Sequence, residues 1–426
     1  MDFPLINKSW KKGMNTFDII FPNKKFGGSY NLGVLIIYNL INNFPNWICN
    51  RIFLDEGKIT SKILGFTFQY ELDYHNFFKL LEKNNIPKNK NEREQIILAG
   101  GPYVNANQKA LQDYIDLFVL GDSEEIMPQL LKAYEERKDK QSFLKSVSKI
   151  EGVFVPGITK EVKYACVEDL DKLPYPLYQP LPEKISKEYV FGKAFILEVE
   201  RGCPFRCKFC PMPLRRKVKH RSLENIKKII VEGIKINKRK KVVIYTPSFA
   251  HPQRKEILKY LLSKNLEFSV PSIRMEIVDK ELMNLIKKGG QKTLTIAPEC
   301  NEELRFKIGK SIRDKAYFNF VELAKEIGFP KIKAYFMIGI PEQTDKDIKE
   351  MIILIKELKK RFNNLYISIN PFVPKPKTEL EKHEFNIKTL KNQAKLLKKE
   401  LYKEKINFKL SSIKSAYKEW ELSHKS

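Results

Sequence analysis

Two series of short apolar strands, each strand followed by a turn or a helix, constrain the fold of this chain most strongly. The strands of the first series are predicted at 17–22, 63–68, 95–99 and 117–120. Their repeated strand–turn–helix order predicts a Rossmann-like parallel sheet with helices on both faces. Ligands of such sheets bind at the loops that follow the C-terminal ends of the strands. No G-x-G-x-x-G follows the first strand, which disfavours a dinucleotide.

The second series alternates six strands with helices. The strands are predicted at 195–199, 241–245, 266–270, 293–297, 332–337 and 364–369. This alternation predicts a partial (β/α)6 barrel, whose chemistry sits at the C-terminal ends of the strands. The chain is therefore expected to be an α/β protein of four parts. They are a Rossmann-like domain at 1–138, a proline-containing linker at 139–190, the barrel at 191–376 and a small helical extension at 377–426.

Three cysteines follow the first strand of the second series, in the spacing C-x3-C-x2-C: Cys203, Cys207 and Cys210. Three thiolates can hold three irons of a [4Fe–4S] cluster and leave the fourth iron open, which a four-cysteine electron-transfer cluster cannot do. The alternatives are a zinc site and a group of structural cysteines. Structural zinc usually takes four N or S ligands, and no fourth Cys or His lies at ligand spacing here. The spacing favours the cluster.

The composition is basic, with 78 Lys and Arg against 51 Asp and Glu and a formal net charge of +27. A nucleic-acid partner and a merely lysine-rich proteome both explain such a charge. Lysines are spread over the chain, and runs such as 388–405 have a helical spacing that favours solvated faces over a groove. The cysteines outside the motif are scattered, and no apolar run reaches membrane-spanning length. A cytoplasmic protein is expected.

The cysteine loop resembles that of the radical S-adenosylmethionine (SAM) superfamily. The resemblance implies that Cys203, Cys207 and Cys210 bind the cluster and that the open iron binds the amino and carboxylate groups of SAM. Loops after later barrel strands match at the expected places, although a Thr-Pro-Ser replaces the usual Gly-Gly-Glu-like turn. The implied SAM contacts are Phe209, Thr246, Ser248, Ser272, Arg274, Glu299, Gly339 and Pro341. Cys300 is either a reactive thiol or a buried small residue, and the second interpretation is favoured.

The N-terminal half is similar to the cobalamin-binding-domain radical SAM family, whose members include class B methyltransferases. The similarity rests on 31–38, 65–74, 99–105 and 120–125, and on 370–376 near the end of the barrel. It implies cobalamin contacts at Gly28, Ser29, Tyr30, Asn31, Phe68, Gln69, Tyr70, Gly100, Gly101, Pro102, Gly121, Asp122 and Glu124.

One departure concerns the Asp-x-His-x-x-Gly motif that many B12 enzymes use. Asp73 and His75 are present, but Phe78 replaces the glycine. His75 is therefore expected on the surface or in helix packing, and cobalamin is expected to bind without a histidine ligand.

The resemblance implies a cobalamin-dependent radical SAM methyltransferase. Methyl would pass from SAM through methylcobalamin to an unactivated sp3 carbon after a 5′-deoxyadenosyl radical has removed its hydrogen. No catalytic side chain is assigned. An external one-electron reductant and a macromolecular acceptor are expected. A protein residue is favoured, such as one in methyl-coenzyme M reductase, and nucleic acid is possible. Two alternatives stay open: a cobalamin-independent radical SAM enzyme that rearranges, cyclises or couples its substrate, and a non-catalytic basic binding protein with a structural cluster.

Overall fold

The computed structural model describes residues 8–212 and 217–425, which form two compact units. The first unit contains the chain up to Ile196, together with Glu224–Arg239 and the C-terminal residues from Leu422. The second unit contains Leu197–Leu223 and Lys240–Glu421. Within the described residues, no helix combines the length and the apolar character that crossing a membrane requires.

The first unit is organised around a six-stranded sheet with the order β2-β1-β3-β4-β5-β6. Its strands are β1 Asn15–Phe21, β2 Trp47–Phe53, β3 Ile63–Thr67, β4 Ile96–Gly100, β5 Leu117–Val119 and β6 Val153–Phe154. All neighbours pair in parallel except β5 and β6, which are antiparallel. Adjacent residues Ile19 and Ile20 belong to different apolar cores, one on each face. The mainly apolar strand β1 is therefore buried on both faces.

Helices cover both faces of this sheet. They are α1 Lys25–Gly28, α2 Leu32–Asn42, α3 Asp73–Lys83, α4 Pro102–Ala106, α5 Ile126–Glu135 and α6 Lys140–Val147, and the unit also contains most of α7 Leu223–Asn237. Helices α2, α5 and α6 contribute to one core through Val34, Leu130 and Phe143. Helices α3 and α4 contribute to the other through Phe77 and Tyr103. The predicted layer order is confirmed.

Two strands of this sheet were not predicted. Strand β2 contains the polar pair Asn50 and Arg51, which interrupts its apolar pattern. The Asn50 side-chain amide donates a hydrogen bond of 2.9 Å to Asp18 Oδ1. This hydrogen bond offsets part of the free-energy cost of burying that carboxylate. Asn50, one of the two polar residues that interrupt the pattern, therefore takes part in the pairing with β1.

The linker predicted at 139–190 is built into the first unit instead. Asp139 caps α6 and accepts a hydrogen bond of 2.7 Å from the Ser142 amide, and β6 extends the sheet. In the proline-containing part, the buried Gln179 side chain bonds to both backbone groups of Ile196, at 2.8 and 2.9 Å. The prolines predicted an extended chain correctly, but an extended chain can still be tied down by side-chain hydrogen bonds.

The second unit contains a parallel sheet with the order β12-β13-β14-β15 and a parallel pair, β10 and β11. The strands from β7 onward are β7 Ala194–Leu197, which ends at the boundary between the units, β8 Glu200–Arg201, β9 Lys219–His220, β10 Lys241–Ile244, β11 Glu267–Ser269, β12 Thr293–Glu299, β13 Lys331–Ile338, β14 Leu365–Pro371 and β15 Asn407–Leu410. The six strands predicted for the second series are confirmed as β7 and β10–β14. The Tyr245 amide after β10 donates to the Leu197 carbonyl over 2.8 Å.

The helices of this unit separate the strands as the pattern predicts. They are α8 Arg254–Ser263, α9 Lys280–Lys288, α10 Glu302–Lys307, α11 Asp314–Glu326, α12 Asp345–Arg361, α13 Ile387–Lys403 and α14 Ile413–Ser423. The predicted C-terminal extension is not separate, because β15 pairs with β14 and becomes the edge strand of the sheet. The final residues belong to the first unit, where the Tyr103 hydroxyl donates to the Leu422 carbonyl over 3.1 Å.

Candidate active site

The three predicted cluster ligands lie in the loop after β8, and β9 pairs antiparallel with β8 just beyond the loop. Cys203, Cys207 and Cys210 are half-buried and not joined by disulfides. The Cys210 amide donates to the Cys207 carbonyl over 3.0 Å, which makes a turn between these two thiols. Within the ranges 8–212 and 217–425, no three Cys, His, Asp or Glu side chains converge on one point that could hold a single metal ion.

A segment a hundred residues further along the chain supports this loop. The Lys208 amide donates to the Ile308 carbonyl over 3.0 Å. Gly309 has a φ of +75°, and a Cβ there would lie 2.9 Å from the Arg206 carbonyl oxygen. Only glycine allows this approach, so Gly309 shapes the cysteine loop from outside. The sequence analysis missed this segment, because a lone glycine after a helix carries no signal of a distant partner.

Arg274, a predicted SAM contact, lies directly beside the cysteines. Its Nη1 donates to Cys207 Sγ over 3.3 Å, and its guanidinium lies 3.8 Å from the Phe205 ring centroid. Glu276 accepts from Arg274 Nε over 3.2 Å and holds the other side of the guanidinium. Arg274 is therefore held between an acidic side chain and the sulfur of a predicted cluster ligand.

Glu299, another predicted contact, ends β12 with a φ of +69°, which is strained for a residue other than glycine. Its carboxylate accepts a hydrogen bond of 2.8 Å from Lys310 Nζ, and both side chains are buried. Lys310 also donates to the Ala297 carbonyl. Such strain persists only where the surroundings impose it, and it is concentrated at functional sites. Lys310 is a second residue that the sequence analysis missed.

Cys300, which follows Glu299, is fully buried. Burial raises the pKa of its thiol to about 12, so the thiol stays protonated at neutral pH and is a poor nucleophile. The interpretation of Cys300 as a buried small residue is confirmed.

Phe209 packs against a small apolar core that contains Cys300, Ile308 and Ile340. Ile340 belongs to the turn that also holds two predicted SAM contacts, Gly339 and Pro341. The Gly339 amide donates to the side-chain oxygens of both Gln343 and Gln393, at 2.8 Å each. The structure therefore brings Phe209 and the Gly339 turn to the same apolar core.

The loop after β10 contains the hydroxyl groups of two predicted contacts, of which one is hydrogen-bonded and the other has no such bond among the residues that the structure describes. Thr246 Oγ1 donates to the buried carboxylate of Glu200, which also accepts from the Ala250 amide over 2.8 Å. Ser248 is 3% exposed, and its Oγ lacks a hydrogen-bond partner within the described part of the chain. Of these two predicted contacts, Ser248 is the one whose hydroxyl is left for a ligand. Ser272 is exposed.

A buried charged cluster flanks the cysteine loop at β8 and β9. Arg201 binds Glu198 through two hydrogen bonds, of 3.0 and 2.9 Å, and Arg221 Nη2 lies 3.3 Å from the same carboxylate. The Gln253 backbone amide donates to His251 Nδ1 over 3.0 Å. The proton of the neutral ring is therefore on Nε2, which donates to the Arg221 carbonyl over 2.9 Å. These paired charges fix both ends of the loop. The sequence analysis did not single them out.

The first unit places the predicted cobalamin contacts at the C-terminal ends of its strands and in the segments that follow. Ser29 is 2% exposed, and its Oγ has no hydrogen-bond partner among residues 8–212 and 217–425. The neighbouring Tyr30 hydroxyl donates to the Gly192 carbonyl over 2.6 Å. Asn31 caps α2 and accepts from the Val34 amide over 2.9 Å. Ser29 is thus the residue of this stretch whose polar group is buried and unsatisfied.

The loop after β3 is held by Asp73. The amides of Gln69 and Tyr70 donate to Asp73 Oδ2 over 2.8 and 3.3 Å, and the Tyr70 side chain is 40% exposed. Burial raises the pKa of the Asp73 carboxyl from 3.8 to about 6. His75 is exposed on α3, as predicted for a residue that is not a cobalt ligand. Phe68 is fully buried, so its ring is part of the core.

The glycines at these strand ends are required by the chain's own packing. Gly28 is pressed against the Phe53 ring, which a Cβ would approach to 2.6 Å. Gly101 has a φ of +103°, and a Cβ there would lie 2.5 Å from the Phe68 carbonyl oxygen. Gly121 has a φ of +96°, and its Cβ would lie 2.0 Å from the Ala165 carbonyl oxygen. The interpretation that glycines make turns therefore accounts for these positions without a ligand.

The remaining predicted contacts take part in local structure. Pro102 occupies the first turn of α4, and Gly100 closes β4. Asp122 is buried and accepts from the Val167 amide over 3.1 Å, and Glu124 is also buried.

Comparison with known proteins identifies the family of this chain. A model described as radical SAM proteins, N-terminal, matches residues 58–156, and the model of the radical SAM superfamily matches residues 197–355. The protein MJ0966 of Methanocaldococcus jannaschii is 35% identical over 93% of this chain and 86% of that protein. The chain belongs to the radical SAM superfamily.

Two further likenesses each extend over more than half of this radical SAM enzyme. The protein PH0819 of Pyrococcus horikoshii, which carries the name of an uncharacterised methyltransferase, is 25% identical over 64% of this chain and 60% of that protein. The solved structure of the cobalamin-dependent SAM radical enzyme OxsB, with aqua-cobalamin and SAM bound, has a TM-score of 0.59 at 14% identity. The likeness covers 92% of this chain and 62% of OxsB, and it shows a shared fold.

The residues present fit the cofactors that the radical SAM family implies, a [4Fe–4S] cluster and SAM. Three cysteines in one loop, none of them joined by a disulfide, are the donor set of such a cluster. The unsatisfied Ser248 hydroxyl fits a polar group of SAM, because a buried hydroxyl is normally hydrogen-bonded. For cobalamin, the fit rests on the Ser29 hydroxyl and on the exposed Tyr70 side chain, and not on the glycines.

Proposed function

We propose that this radical SAM enzyme is a cobalamin-dependent methyltransferase that moves methyl from SAM to an unactivated sp3 carbon of a macromolecule. The observation that supports this most strongly is the likeness in fold to OxsB, because it covers 92% of the chain and therefore both units. The name of PH0819 supports methyl transfer as the reaction class. The charge of +27 supports a large, acidic acceptor.

In the second unit, Cys203, Cys207 and Cys210 would bind the cluster. Arg274 would hold the sulfur of Cys207 in position, because its guanidinium contacts that sulfur over 3.3 Å. Ser248 would donate to SAM, and Phe209 would contact its adenine. When bound, the cluster and SAM supply a 5′-deoxyadenosyl radical, and cobalamin carries the methyl group.

The apolar residues around this loop would keep water away from a reactive radical. Phe209 packs against Leu304, Ile308, Ile340 and Phe372, all of which are buried. Lys310 and Glu299 form a buried ion pair with each other, so we assign neither of them as a general acid or base.

In the first unit, cobalamin would bind at the strand-end loops. Ser29 would donate to a polar group of the corrin, and Tyr70 would cover part of its face. His75 is exposed on α3, in keeping with binding that leaves this histidine uncoordinated.

Anaerobic reconstitution tests the proposal. The protein is loaded with iron, sulfide and hydroxocobalamin, and iron, sulfide and corrin are measured after desalting. The proposal expects a [4Fe–4S] cluster and a stoichiometric corrin. Cys203→Ala is expected to lose the cluster and keep the corrin, whereas Cys300→Ala is expected to keep both. A complete cluster with no corrin under several loading conditions would favour the cobalamin-independent alternative.

A further inference from the structure

A basic groove lies in the second unit between α13 and the segment that follows β15. Lys391, Lys395 and Lys398 line one wall, and Ser411 and Ser412 line the other. The three lysines occur about one, two and three turns along the helix, so they form a narrow stripe on one face. The run of lysines at 388–405 predicted a solvated helix face, and the structure adds a groove to it.

The charge of this stripe is not compensated by the protein. Lys391, Lys395 and Lys398 are exposed and form no ion pair within the part of the chain that the structure describes. The acidic side chains near the end of the helix are engaged elsewhere, because Glu400 and the C-cap residue Glu404 both pair with Lys356, at 3.7 and 2.9 Å. Three positive charges within about 10 Å of helix therefore repel one another. A polyanion in the groove would relieve this repulsion.

An exposed aromatic ring continues the same stripe. Tyr402 lies one turn beyond Lys398 on α13 and is 69% exposed. Phe408 of β15 holds it edge-to-face, with ring centroids 5.0 Å apart. Single-stranded nucleic acid is bound by positive charges that follow the phosphates and by aromatic rings on which bases stack. An acidic peptide would use the lysines but would have no need of the ring.

We propose that this groove binds single-stranded RNA, with the three lysines on successive phosphates and Tyr402 stacked on a base. Ser412 adds a hydrogen-bond donor, because its oxygen accepts from the Ser415 amide over 3.2 Å and its O–H remains free to reach a phosphate. This binding is independent of methyl transfer, so either proposal can fail while the other holds.

Fluorescence anisotropy with a fluorescein-labelled oligouridylate, measured over a range of KCl concentrations, tests the proposal. Each phosphate contact on a single strand contributes about 0.7 to the slope of log K against log salt, so Lys391→Gln, Lys395→Gln and Lys398→Gln together should lower the slope by about 2. Tyr402→Ala should weaken binding roughly 10-fold or more at constant slope, and Tyr402→Phe should restore it. The phenylalanine also keeps the contact with Phe408.

The matched control replaces three exposed lysines on other helices, Lys79, Lys83 and Lys145, by glutamine. It removes the same charge and should leave the slope nearly unchanged. Circular dichroism and the urea midpoint check that every variant is folded. An equal loss with the control triple would overturn the RNA groove, and so would an absence of binding. A fluorescein-labelled oligoglutamate is measured in parallel. If it binds more tightly than the oligouridylate and Tyr402→Ala does not change its affinity, the RNA proposal is overturned in favour of an acidic protein partner.

Discussion

The Ser29 hydroxyl gives a sharp test of the first unit, because its role in the free protein and its proposed role with cobalamin have opposite signs. A buried polar group without a partner costs about 1–3 kcal/mol, and Ser29 is 2% exposed with an unsatisfied Oγ. Ser29→Ala removes this cost and leaves only a very small void. We therefore expect the free energy of unfolding of the cofactor-free protein to rise by about 1 kcal/mol.

The same substitution should weaken cobalamin binding. A neutral hydrogen bond contributes about 0.5–1.5 kcal/mol, so loss of the hydroxyl should raise the Kd for hydroxocobalamin roughly 2- to 12-fold. Urea unfolding of the free protein and equilibrium dialysis with hydroxocobalamin measure the two effects. Ser186→Ala, at an exposed serine of the same unit, is the matched control and should change neither.

Two results would refute this reasoning. If Ser29→Ala destabilises the free protein, the hydroxyl is already satisfied and is not waiting for a ligand. If the variant is more stable but binds hydroxocobalamin as the wild type does, the hydroxyl is unsatisfied for a reason unrelated to cobalamin.

Three further predictions concern the loops and the thiols. Gly101→Ala should lower the free energy of unfolding by roughly 2–5 kcal/mol in urea titrations, since it combines left-handed strain with a 2.5 Å contact to the Phe68 carbonyl, whereas Gly157→Ala, with a φ of +86° and open space around it, should cost about 1–2 kcal/mol. The pKa of Asp73 is about 6 in the folded protein and 3.8 as the ordinary value, which we take for the unfolded chain. The contribution of Asp73 to the free energy of unfolding is therefore highest in acid, where the carboxyl is protonated, and it falls as the pH rises. The stability difference between wild type and Asp73→Asn should therefore fall by roughly 3 kcal/mol between about pH 4 and pH 7, and a constant difference would contradict it. Cys300→Ala should leave the iron content unchanged by colorimetric assay, and a loss like that of Cys203→Ala would make Cys300 a ligand.

The apolar pattern was sufficient to predict most of the fold. The strands that are mainly apolar, such as β1 and β13, were predicted within a few residues. Strand β2 was missed because Asn50 and Arg51 interrupt its apolar pattern, and the reason for Asn50 appears only when Asp18 lies beside it. The segment predicted as a linker was not recognised as part of the first unit for a similar reason. A proline-containing segment has no hydrophobic periodicity that would indicate which part of the protein it packs against.

The site was predictable where its residues are close together in the sequence. The cysteine spacing identified the loop, but Gly309 supports it from a hundred residues away and Lys310 binds Glu299, and no local pattern marks either residue. Arg274 was predicted as a SAM contact, and the structure places it beside Cys207. The glycines of the first unit show the opposite error, because Gly101 and Gly121 suggested room for a ligand where the chain packs against itself.

The central claim is methyl transfer, and isotope labelling tests it most directly. The reconstituted enzyme is incubated with trideuteromethyl SAM, a strong reductant and an extract of cells of the source organism that lack this gene, and digests of protein and RNA are read by mass spectrometry. We expect 5′-deoxyadenosine and a carbon-bound trideuteromethyl group in one macromolecule, both absent with Cys203→Ala. Release of 5′-deoxyadenosine with the hydrogen of a substrate, while the label enters no product, would contradict the account.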